Sequence, residues 1–233
     1  MFANYEVDPK LLHSMVPNST SLDSWNGSTF LSMVAFRFSD TRVFGIPTFG
    51  WRNFDEINLR FYVRGTPPHQ SKNGVVFVKE IVPSRLVSTI ARLLYGENYQ
   101  VQKMASSVAL IDNSASSVKY EIKDSDSISK FSAAISTAHT LPSIDSLETY
   151  ITEHYWGFAR RNIEKTMEYE VEHPRWEVSQ VDNYSIDFDF EKLYGKRYSF
   201  LSNVEPQSVF YCAGSEIVVR MGKRLKSVVP SAD

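Results

Sequence analysis

The chain has 233 residues, a formal net charge of −2 and a sequence pI near 6.2. This balance excludes the strongly basic field with which proteins attract nucleic acids or anionic membranes. The single cysteine, Cys212, excludes an internal disulfide. No apolar run approaches the ~20 residues of a membrane-spanning helix, and no charged segment followed by an apolar core opens the chain, so we expect a cytoplasmic protein.

The N-terminal part predicts a short helix, a strand and then the clearest alternation in the chain. Asp8 and Pro9 indicate a helix start, because Asp caps a first turn and Pro is tolerated there. Residues 29–38 carry apolar side chains on both faces, which indicates a strand covered on both sides. Residues 56–63 then alternate strictly, so that strand has one apolar face and one polar face.

The polar face of residues 56–63 is the strongest candidate for a functional surface. Glu56, Asn58 and Arg60, together called the polar stripe, precede Tyr62 on that face. A carboxylate and a guanidinium two pleats apart can pair diagonally or bind one shared ligand. If the sheet closes, this face lines a cavity; the alternative is a row of salt-bridged charges on an exposed outer face.

The middle of the chain predicts a strand, a helix and a strand pair. Residues 74–82 are apolar and β-branched, which indicates a buried strand, and Ser84 and Gly96 are typical of the two ends of a helix. Residues 99–111 and 117–123 predict paired strands joined by a turn at residues 112–114, and residues 127–136 predict a weaker strand. The predicted core face of the helix consists of Leu86, Ile90, Leu93 and Leu94.

The last third predicts further strands with short helices between them. A helix begins at Ser146 and ends at Gly157, strands follow at residues 166–173 and 176–181, and a helical turn lies near residues 188–194. A hairpin is predicted over residues 208–221 with its turn at Gly214, followed by a flexible tail at residues 222–233. One strand face with three carboxylates is predicted to be solvated, because unpaired Glu is rarely buried. These carboxylates are Glu168, Glu170 and Glu172.

These elements indicate a single domain over residues 1–233, of the α+β class and dominated by β-structure. Short connections favour mainly antiparallel pairing, and strands with two covered faces favour a closed or strongly curved sheet. The five histidines lack ligand spacing and Cys212 is alone, so we expect no metal centre. Neither a Gly-rich phosphate loop nor a Gly-x-Ser-x-Gly turn occurs, and we expect no cofactor.

Five segments of the chain carry a family resemblance. They are residues 3–9, 53–64, 74–77 and 91–96, and the run Glu172-His173-Pro174-Arg175-Trp176. In this order and spacing they resemble the YqjF-like family, an uncharacterised bacterial family. The resemblance implies the acetoacetate decarboxylase-like fold, a cone-like, mainly antiparallel β-barrel with a few flanking helices and an internal cavity. It also implies that Glu56 matches a glutamate of the decarboxylase family, so we expect the polar stripe to face the cavity.

The same resemblance implies a difference in chemistry. The decarboxylase uses a lysine to form a Schiff base with its keto acid. The matching run here covers residues 95–100 and places Tyr99 and Gln100 where the lysines stand. Neither side chain is a primary amine, so we predict no acetoacetate decarboxylase activity. Lys79 and Lys103 are the alternative amines.

The leading hypothesis is a small-molecule-binding domain with an acetoacetate decarboxylase-like pocket that takes a small carboxylate. Arg60 binds the carboxylate, because a guanidinium pairs bidentately with it. Glu56 is the acid/base group or acceptor. The remaining lining residues are Asn58, Tyr62, Tyr99 and Gln100.

Two other functions are compatible with these residues. One is an enzyme that acts on small keto or unsaturated carboxylic acids as a hydratase, tautomerase or lyase, with Glu56 as base and Tyr62 or Tyr99 as donor. The other is a structural or partner-binding protein. We expect no nucleic-acid or membrane partner, and a homo-oligomer is compatible with each function.

Overall fold

The computed structural model describes residues 1–43, 45–48, 50–67, 72–111, 114–136, 138–162 and 165–225. The strands before the first α-helix are β1 (Phe2–Val7), β2 (Thr20–Leu22), β3 (Thr29–Phe38), β4 (Arg42–Val43), β5 (Ile46–Pro47), β6 (Phe54–Gly65) and β7 (Asn73–Val82). The strands after it are β8 (Tyr99–Val101), β9 (Lys103–Ile111), β10 (Ser114–Lys123), β11 (Ile128–Ile135), β12 (Trp156–Asn162), β13 (Lys165–Glu172), β14 (Val178–Asp187), β15 (Ser208–Cys212), β16 (Val218–Val219) and β17 (Lys223–Leu225). The helices are α1 (Arg85–Tyr95), α2 (Leu147–Thr152) and α3 (Phe190–Tyr194), with 3₁₀ segments at Pro9–Leu11, His13–Met15 and Lys196–Asn203.

Fifteen strands form one sheet, which confirms the prediction of a β-dominated fold with few helices. Its order is β16-β13-β12-β7-β6-β3-β1-β15-β14-β11-β10-β9, with β17 beside β13, β2 beside β6, and β8 beside β7. Among the described strands only β7 with β8 and β7 with β12 pair in parallel, so the predicted antiparallel character is confirmed. The order runs from β16 to β9, and within the described ranges no ladder joins these two ends.

Both faces of β6 are covered, each by a different part of the chain. Its apolar face lies in the main core with side chains of β10, β11 and α3; this set includes Ile57, Leu59, Phe61, Tyr120, Phe131 and Phe190. On the opposite face, Tyr62 packs with Ile151 of α2, and Phe54 packs with Val87 of α1. Because strand side chains alternate, the polar stripe lies on this second face, beneath α1 and α2.

Helix α1 has the predicted ends but not the predicted core face. The Ser84 hydroxyl accepts a hydrogen bond from Val87 N, and Gly96 closes the helix with a left-handed φ of 77°. Leu86 and Leu93, however, are 50% and 72% exposed. The helix turns Val87 towards Phe54 of the sheet, which leaves Leu86 and Leu93 outside, whereas Ile90 and Leu94 are half-buried.

Several smaller predictions were wrong for reasons of pairing. The first helix consists of two 3₁₀ turns, and strand β12 was missed. Strand β15 pairs with β1 and β14 rather than closing a hairpin at Gly214, since these long-range partners satisfy its backbone. Part of the predicted tail forms β17 beside β13, whereas residues 226–233 lie outside the described residues. The predicted strand pair is confirmed as β9 with β10, but residues 112–113 of its turn also lie outside.

Glu168 contradicts the prediction of a solvated carboxylate face on β13. It is 1% exposed, and Lys72 Nζ donates to its two carboxylate oxygens at 2.7 and 2.6 Å. The Lys72 ammonium also lies 3.9 Å from the centre of the Trp156 ring. A loop residue distant in sequence therefore supplies the charge that makes burial of Glu168 tolerable. No helix in the described ranges is long and apolar enough to span a membrane.

Candidate functional site

The polar stripe is enclosed by neighbouring strands and by the two helices above it. Glu56 and Asn58 are 2% and 1% exposed, and Arg60 is partly buried. Strands β3 and β7 flank the stripe on its two sides. The alternative of an exposed row of salt-bridged charges therefore does not describe this face.

Glu56 is held by its nearest polar neighbour on the same strand. The Asn58 side-chain amide donates to Glu56 Oε1 at 3.0 Å. Burial raises the pKa of Glu56 to about 7, although the Asn58 hydrogen bond and the Arg60 charge both act to lower it. A carboxyl group with this pKa exchanges its proton near neutral pH, which suits acid/base chemistry.

Two further buried carboxyl groups lie close to Glu56, and sequence reasoning missed both. Glu80 and Glu97 are 3% and 6% exposed; with Glu56 we call them the carboxyl cluster. Burial is the largest cause that raises the pKa of each, to about 8 for Glu97, and the Glu56 charge raises both further. The Tyr169 hydroxyl donates to Glu97 Oε1 at 2.9 Å, and the Tyr99 hydroxyl interacts with Glu80.

The sheet register explains how this cluster assembles. Asn58 lies opposite Glu80 in the β6–β7 ladder, and Glu80 lies opposite Tyr99 in the β7–β8 ladder. Side chains opposite each other in a ladder project from the same face. The one signal in the sequence was that Glu80 interrupts an apolar strand, but its partner could be identified only from the register.

Arg60 has few partners for a partly buried guanidinium. Its Nη2 donates to the Ile151 carbonyl at 3.4 Å, and its Cζ lies 5.4 and 5.8 Å from the ring centres of Phe2 and Tyr62. Its Nε is buried without a hydrogen-bond partner, and no carboxylate of the described residues forms an ion pair with it. The guanidinium is therefore available to an anion.

Several buried polar atoms around the stripe share this lack of partners. Within the described part of the chain, buried atoms without a hydrogen bond include Asn58 Oδ1, Arg60 Nε and Glu80 Oε2. Buried polar groups are nearly always satisfied, and exceptions call for a bound water, ion or ligand. The concentration of such atoms near one strand face indicates a binding site.

The structure places the other predicted lining residues in three different settings. Tyr62 lies at the end of the stripe, and its hydroxyl shares a 2.7 Å hydrogen bond with Ser32 Oγ. Tyr99 joins the carboxyl cluster. Gln100 points to the opposite face, where its Oε1 accepts from Lys79 Nζ at 2.9 Å, because successive side chains of a strand alternate. The structure therefore does not bring Gln100 to the stripe.

The two alternative lysines also lie away from the carboxyl cluster. Lys79 lies opposite Leu59 in the β6–β7 ladder, on the apolar face of the sheet, and burial lowers the pKa of Lys79. Its ammonium donates to the Leu193 carbonyl as well as to Gln100. Lys103 is exposed on β9. Within the described ranges, no group of three or more His, Cys, Asp or Glu side chains could hold a metal ion.

Sequence comparison places the chain among known relatives. The profile of DUF2071, described as an uncharacterized conserved protein, matches residues 1–216. The uncharacterized protein YqjF of Bacillus subtilis (strain 168) is 31% identical over 160 residues, which cover 66% of this chain and 62% of that protein. The alignment thus spans less than two thirds of the length of the Bacillus protein.

Structural comparison finds the same fold in distant proteins. Acetoacetate decarboxylase of Legionella pneumophila superposes with a TM-score of 0.65 at 13% identity, over 97% of this chain and 84% of that one. The enduracididine biosynthesis enzyme MppR gives a TM-score of 0.61 at 12% identity, over 98% and 85%. An acetoacetate decarboxylase-like enzyme from Sphingomonas wittichii RW1 gives 0.58 at 11%, over 97% and 90%. At such identities the similarity shows the acetoacetate decarboxylase-like fold alone.

Proposed function

We propose that this chain, which belongs to the DUF2071 family of uncharacterized conserved proteins, is a binding domain for a small carboxylate. The ligand lies beside the polar stripe, in a pocket of acetoacetate decarboxylase type that uses no Schiff-base lysine. In this proposal the chain binds the carboxylate and does not decarboxylate it. A closed, cone-like barrel around the site is part of this proposal.

The observation that carries the proposal is the unpaired guanidinium of Arg60. Among the described residues Arg60 has one hydrogen bond, of 3.4 Å, and a partly buried positive charge with so few partners is unfavourable unless an anion pairs with it. A carboxylate supplies two oxygens that match the guanidinium fork, including the unsatisfied Nε. The aromatic rings of Phe2 and Tyr62 flank the Arg60 guanidinium. They exclude water and so strengthen an ion pair between the guanidinium and a carboxylate.

Asn58 and Glu56 supply the second half of the recognition. Asn58 Oδ1 is an unsatisfied acceptor, so a hydroxyl or other donor on the ligand can bind it. Glu56, when protonated, donates a hydrogen bond to a ligand oxygen, and when ionised it accepts one. A small acid that carries an oxygen function next to its carboxylate fits these groups. The fold neighbour MppR supports this ligand class, since it has been crystallised with pyruvate.

Contacts near β9 support the closed barrel. Ser106 of β9 donates to Asp55 Oδ1 of β6 at 2.8 Å, and Arg37 of β3 donates to the same oxygen at 3.0 Å. The last strand of the pairing order thus approaches the middle of the sheet, as strong curvature requires. This contact encloses the main core between β6 and β9 to β11.

The side chains near the stripe support the part of the proposal that excludes a Schiff base. Tyr99 occupies the ladder position opposite Glu80, and its phenol cannot form an iminium. Borohydride reduction in the presence of acetoacetate should therefore leave no covalent adduct. A stable mass increase on Lys79 or Lys103 would contradict this part of the proposal.

The binding proposal is tested by thermal stabilisation with pyruvate and acetoacetate. Ligands that bind the native state raise Tm by mass action. The Arg60→Gln variant should lose this stabilisation, whereas Arg85→Gln, which changes an exposed arginine on α1, should keep it. Equal stabilisation of Arg60→Gln and the unmodified protein would overturn the assignment of Arg60. No stabilisation of the unmodified protein by any small carboxylate would overturn the proposal.

A second candidate function is supported by Glu56 itself. Its pKa of about 7 is suited to a general base that removes a proton next to a carbonyl, and Tyr99 stands two strands away in the same face. The expected signature is exchange of the methyl protons of pyruvate with deuterium, followed by NMR. Exchange that is lost in Glu56→Gln while binding persists would favour this enzymatic function over simple binding.

A further inference from the structure

A second pocket lies at the far end of the same sheet face, on the other side of Tyr62 from the carboxyl cluster. It has a volume of about 320 Å³ and lies between Trp25, in the loop before β3, and the segment of residues 144–154. We call it the Trp25 pocket. Its volume is at the lower end of the ~300–1,000 Å³ usual for ligand pockets, so its ligand is small.

The polar groups behind this pocket are buried and unsatisfied. The His154 side chain is 2% exposed, and its Nε2 lies 3.7 Å from Asp23 Oδ2, which is beyond hydrogen-bond distance. Among the described residues neither ring nitrogen of His154, nor Asp23 Oδ2, nor the Tyr150 hydroxyl has a hydrogen-bond partner. His154 and Tyr150 both line the pocket. Asp23 and the Tyr150 backbone are the polar groups nearest to the imidazole, and both act to raise the pKa of His154 against the effect of burial. Because neither is within hydrogen-bond distance, the imidazole can accept a hydrogen bond from a group that enters from the pocket.

Aromatic rings hold His154 in place against this pocket. The Tyr62 ring lies 4.7 Å and the Tyr150 ring 5.2 Å from the imidazole, measured between ring centres. The other Asp23 oxygen is already bound by Arg64 Nε at 2.8 Å and by Ser24 N at 2.9 Å. Asp23 is therefore fixed, and its second oxygen contributes negative potential behind the imidazole.

The charges that line the pocket have one sign. Asp145 and Glu153 line it, and none of the described lining residues is a lysine or an arginine. The Arg175 guanidinium is the basic group near Glu153, but its Nε lies 3.8 Å from Glu153 Oε2 and Arg175 does not line the pocket. Trp25 and Tyr150 add aromatic faces, which attract organic cations. Anions are disfavoured here, in contrast to the site at Arg60.

We propose that the Trp25 pocket is a binding site for a small organic cation, of the primary alkylammonium or arylalkylammonium class. The ammonium pairs with the Glu153 and Asp145 carboxylates, and its carbon chain packs against Trp25 and the exposed Ile144 side chain, which is 78% exposed. An N–H group of the ligand donates to the buried imidazole of His154. This site goes beyond the carboxylate site and is independent of it.

The probe for the test is benzylamine, which is a cation at neutral pH, with benzyl alcohol as its neutral analogue of similar shape. Titration is followed by calorimetry and by shifts of the Trp25 indole resonance in NMR spectra. Benzylamine should bind and move the Trp25 resonance, whereas benzyl alcohol should bind at least about tenfold more weakly, because it cannot form the charge pair.

Four variants decide whether the contact is the one proposed. Glu153→Gln and Asp145→Asn should each weaken benzylamine binding about two- to fivefold, as expected for partly exposed charge pairs. Ile144→Trp, which fills the pocket mouth from an exposed position, should abolish binding. The matched control Asp182→Asn removes an exposed carboxylate of β14 and should change nothing.

The outcomes separate this site from the carboxylate site. Arg60→Gln should retain benzylamine binding, and Ile144→Trp should retain stabilisation by pyruvate, so each proposal can fail alone. Equal affinity for benzylamine and benzyl alcohol would overturn the proposal. Retained binding in Ile144→Trp, or in the variant that carries both Glu153→Gln and Asp145→Asn, would overturn it as well. Circular dichroism checks that each variant is folded. Because the substituted positions are exposed or partly exposed, we expect each variant to keep the native fold.

Discussion

The Asn58 side-chain amide donates a 3.0 Å hydrogen bond to Glu56 Oε1, and both residues are buried on the same face of β6. The bond orients the carboxyl group and stabilises its ionised form against the cost of burial. It also leaves Asn58 Oδ1 directed elsewhere and unsatisfied. The Asn58 side chain thus orients the Glu56 carboxyl group through its NH₂ and offers its Oδ1 as an acceptor to a ligand.

The first prediction concerns stability against pH. The pKa of Glu56 is about 7 in the folded state and near its ordinary 4.5 in the unfolded chain. Between these values the Glu56 side chain holds a proton in the folded state that it has released in the unfolded state, so its contribution to stability falls as pH rises from about 4.5 to about 7. Glu56 alone accounts for a loss of up to about 3 kcal/mol, and Glu80 and Glu97 act in the same direction.

Urea unfolding at pH 5 and pH 8 measures this effect. Glu56→Gln should lower the value obtained when the unfolding free energy at pH 8 is subtracted from that at pH 5, because the amide does not titrate. The matched control is Glu216→Gln, which changes an exposed glutamate and should keep the difference of the unmodified protein. Burial also lowers the pKa of the Met1 amine to about 5 and lowers the pKa of His154, and both groups add stability as pH rises. The comparison of the two proteins is therefore the test, and a Glu56→Gln variant with an unchanged difference would contradict the prediction.

The second prediction concerns the buried ion pair of Lys72 and Glu168. Lys72→Met should destabilise the protein by about 3–5 kcal/mol, because among the described residues the buried Glu168 carboxylate then keeps only the more distant Lys223, at 3.5 Å. Thermal and urea unfolding measure the change. Lys119→Met, which removes a half-exposed lysine paired with Glu121, should cost less than about 1 kcal/mol. The double variant with Glu168→Met should recover part of the lost stability, and a double variant no more stable than Lys72→Met would refute this account.

The third prediction concerns the close approach of β12 to Tyr169. A Cβ atom at Gly157 would overlap the Tyr169 ring, whose hydroxyl bonds Glu97. Gly157→Ala should therefore cost about 1–3 kcal/mol in unfolding free energy, as overpacked cores do. Combining Gly157→Ala with Tyr169→Ala removes the overlap, so the two costs should be less than additive. If the two changes in unfolding free energy were strictly additive, the Tyr169 ring would not be the group that a side chain at residue 157 overlaps.

The fourth prediction concerns Cys212, which is 9% exposed. Burial raises the pKa of its thiol to about 12, so the reactive thiolate is scarce at pH 8. A disulfide reagent should label the native protein at least about a hundredfold more slowly than a small free thiol, whose pKa lies near ~8.5. Labelling should become rapid in denaturing urea. Rapid labelling of the native protein at pH 8 would show that the thiol is accessible and ionised.

The sequence alone allowed the class of fold and the position of the stripe to be predicted. The alternation of residues 56–63 appears as the two covered faces of β6, and Ser84 and Gly96 end α1 as their chemistry predicts. These features depend on neighbours within a few positions, so local periodicity and capping chemistry suffice to identify them. Which face of α1 is buried was not predictable in this way, because it depends on where the helix meets the sheet.

The tertiary structure alone decided which side chains act together. Strand register places Glu80 opposite Asn58 and Tyr99 opposite Glu80, while the alternation of β8 turns Gln100 to the other face. Residues far apart in sequence meet only when the sheet forms, and no local pattern specifies which of them lie opposite each other. The polar stripe was therefore identified from one strand. That Glu80 and Glu97 join Glu56, and that Arg60 has no ion pair among the described residues, follows from the packing of many strands.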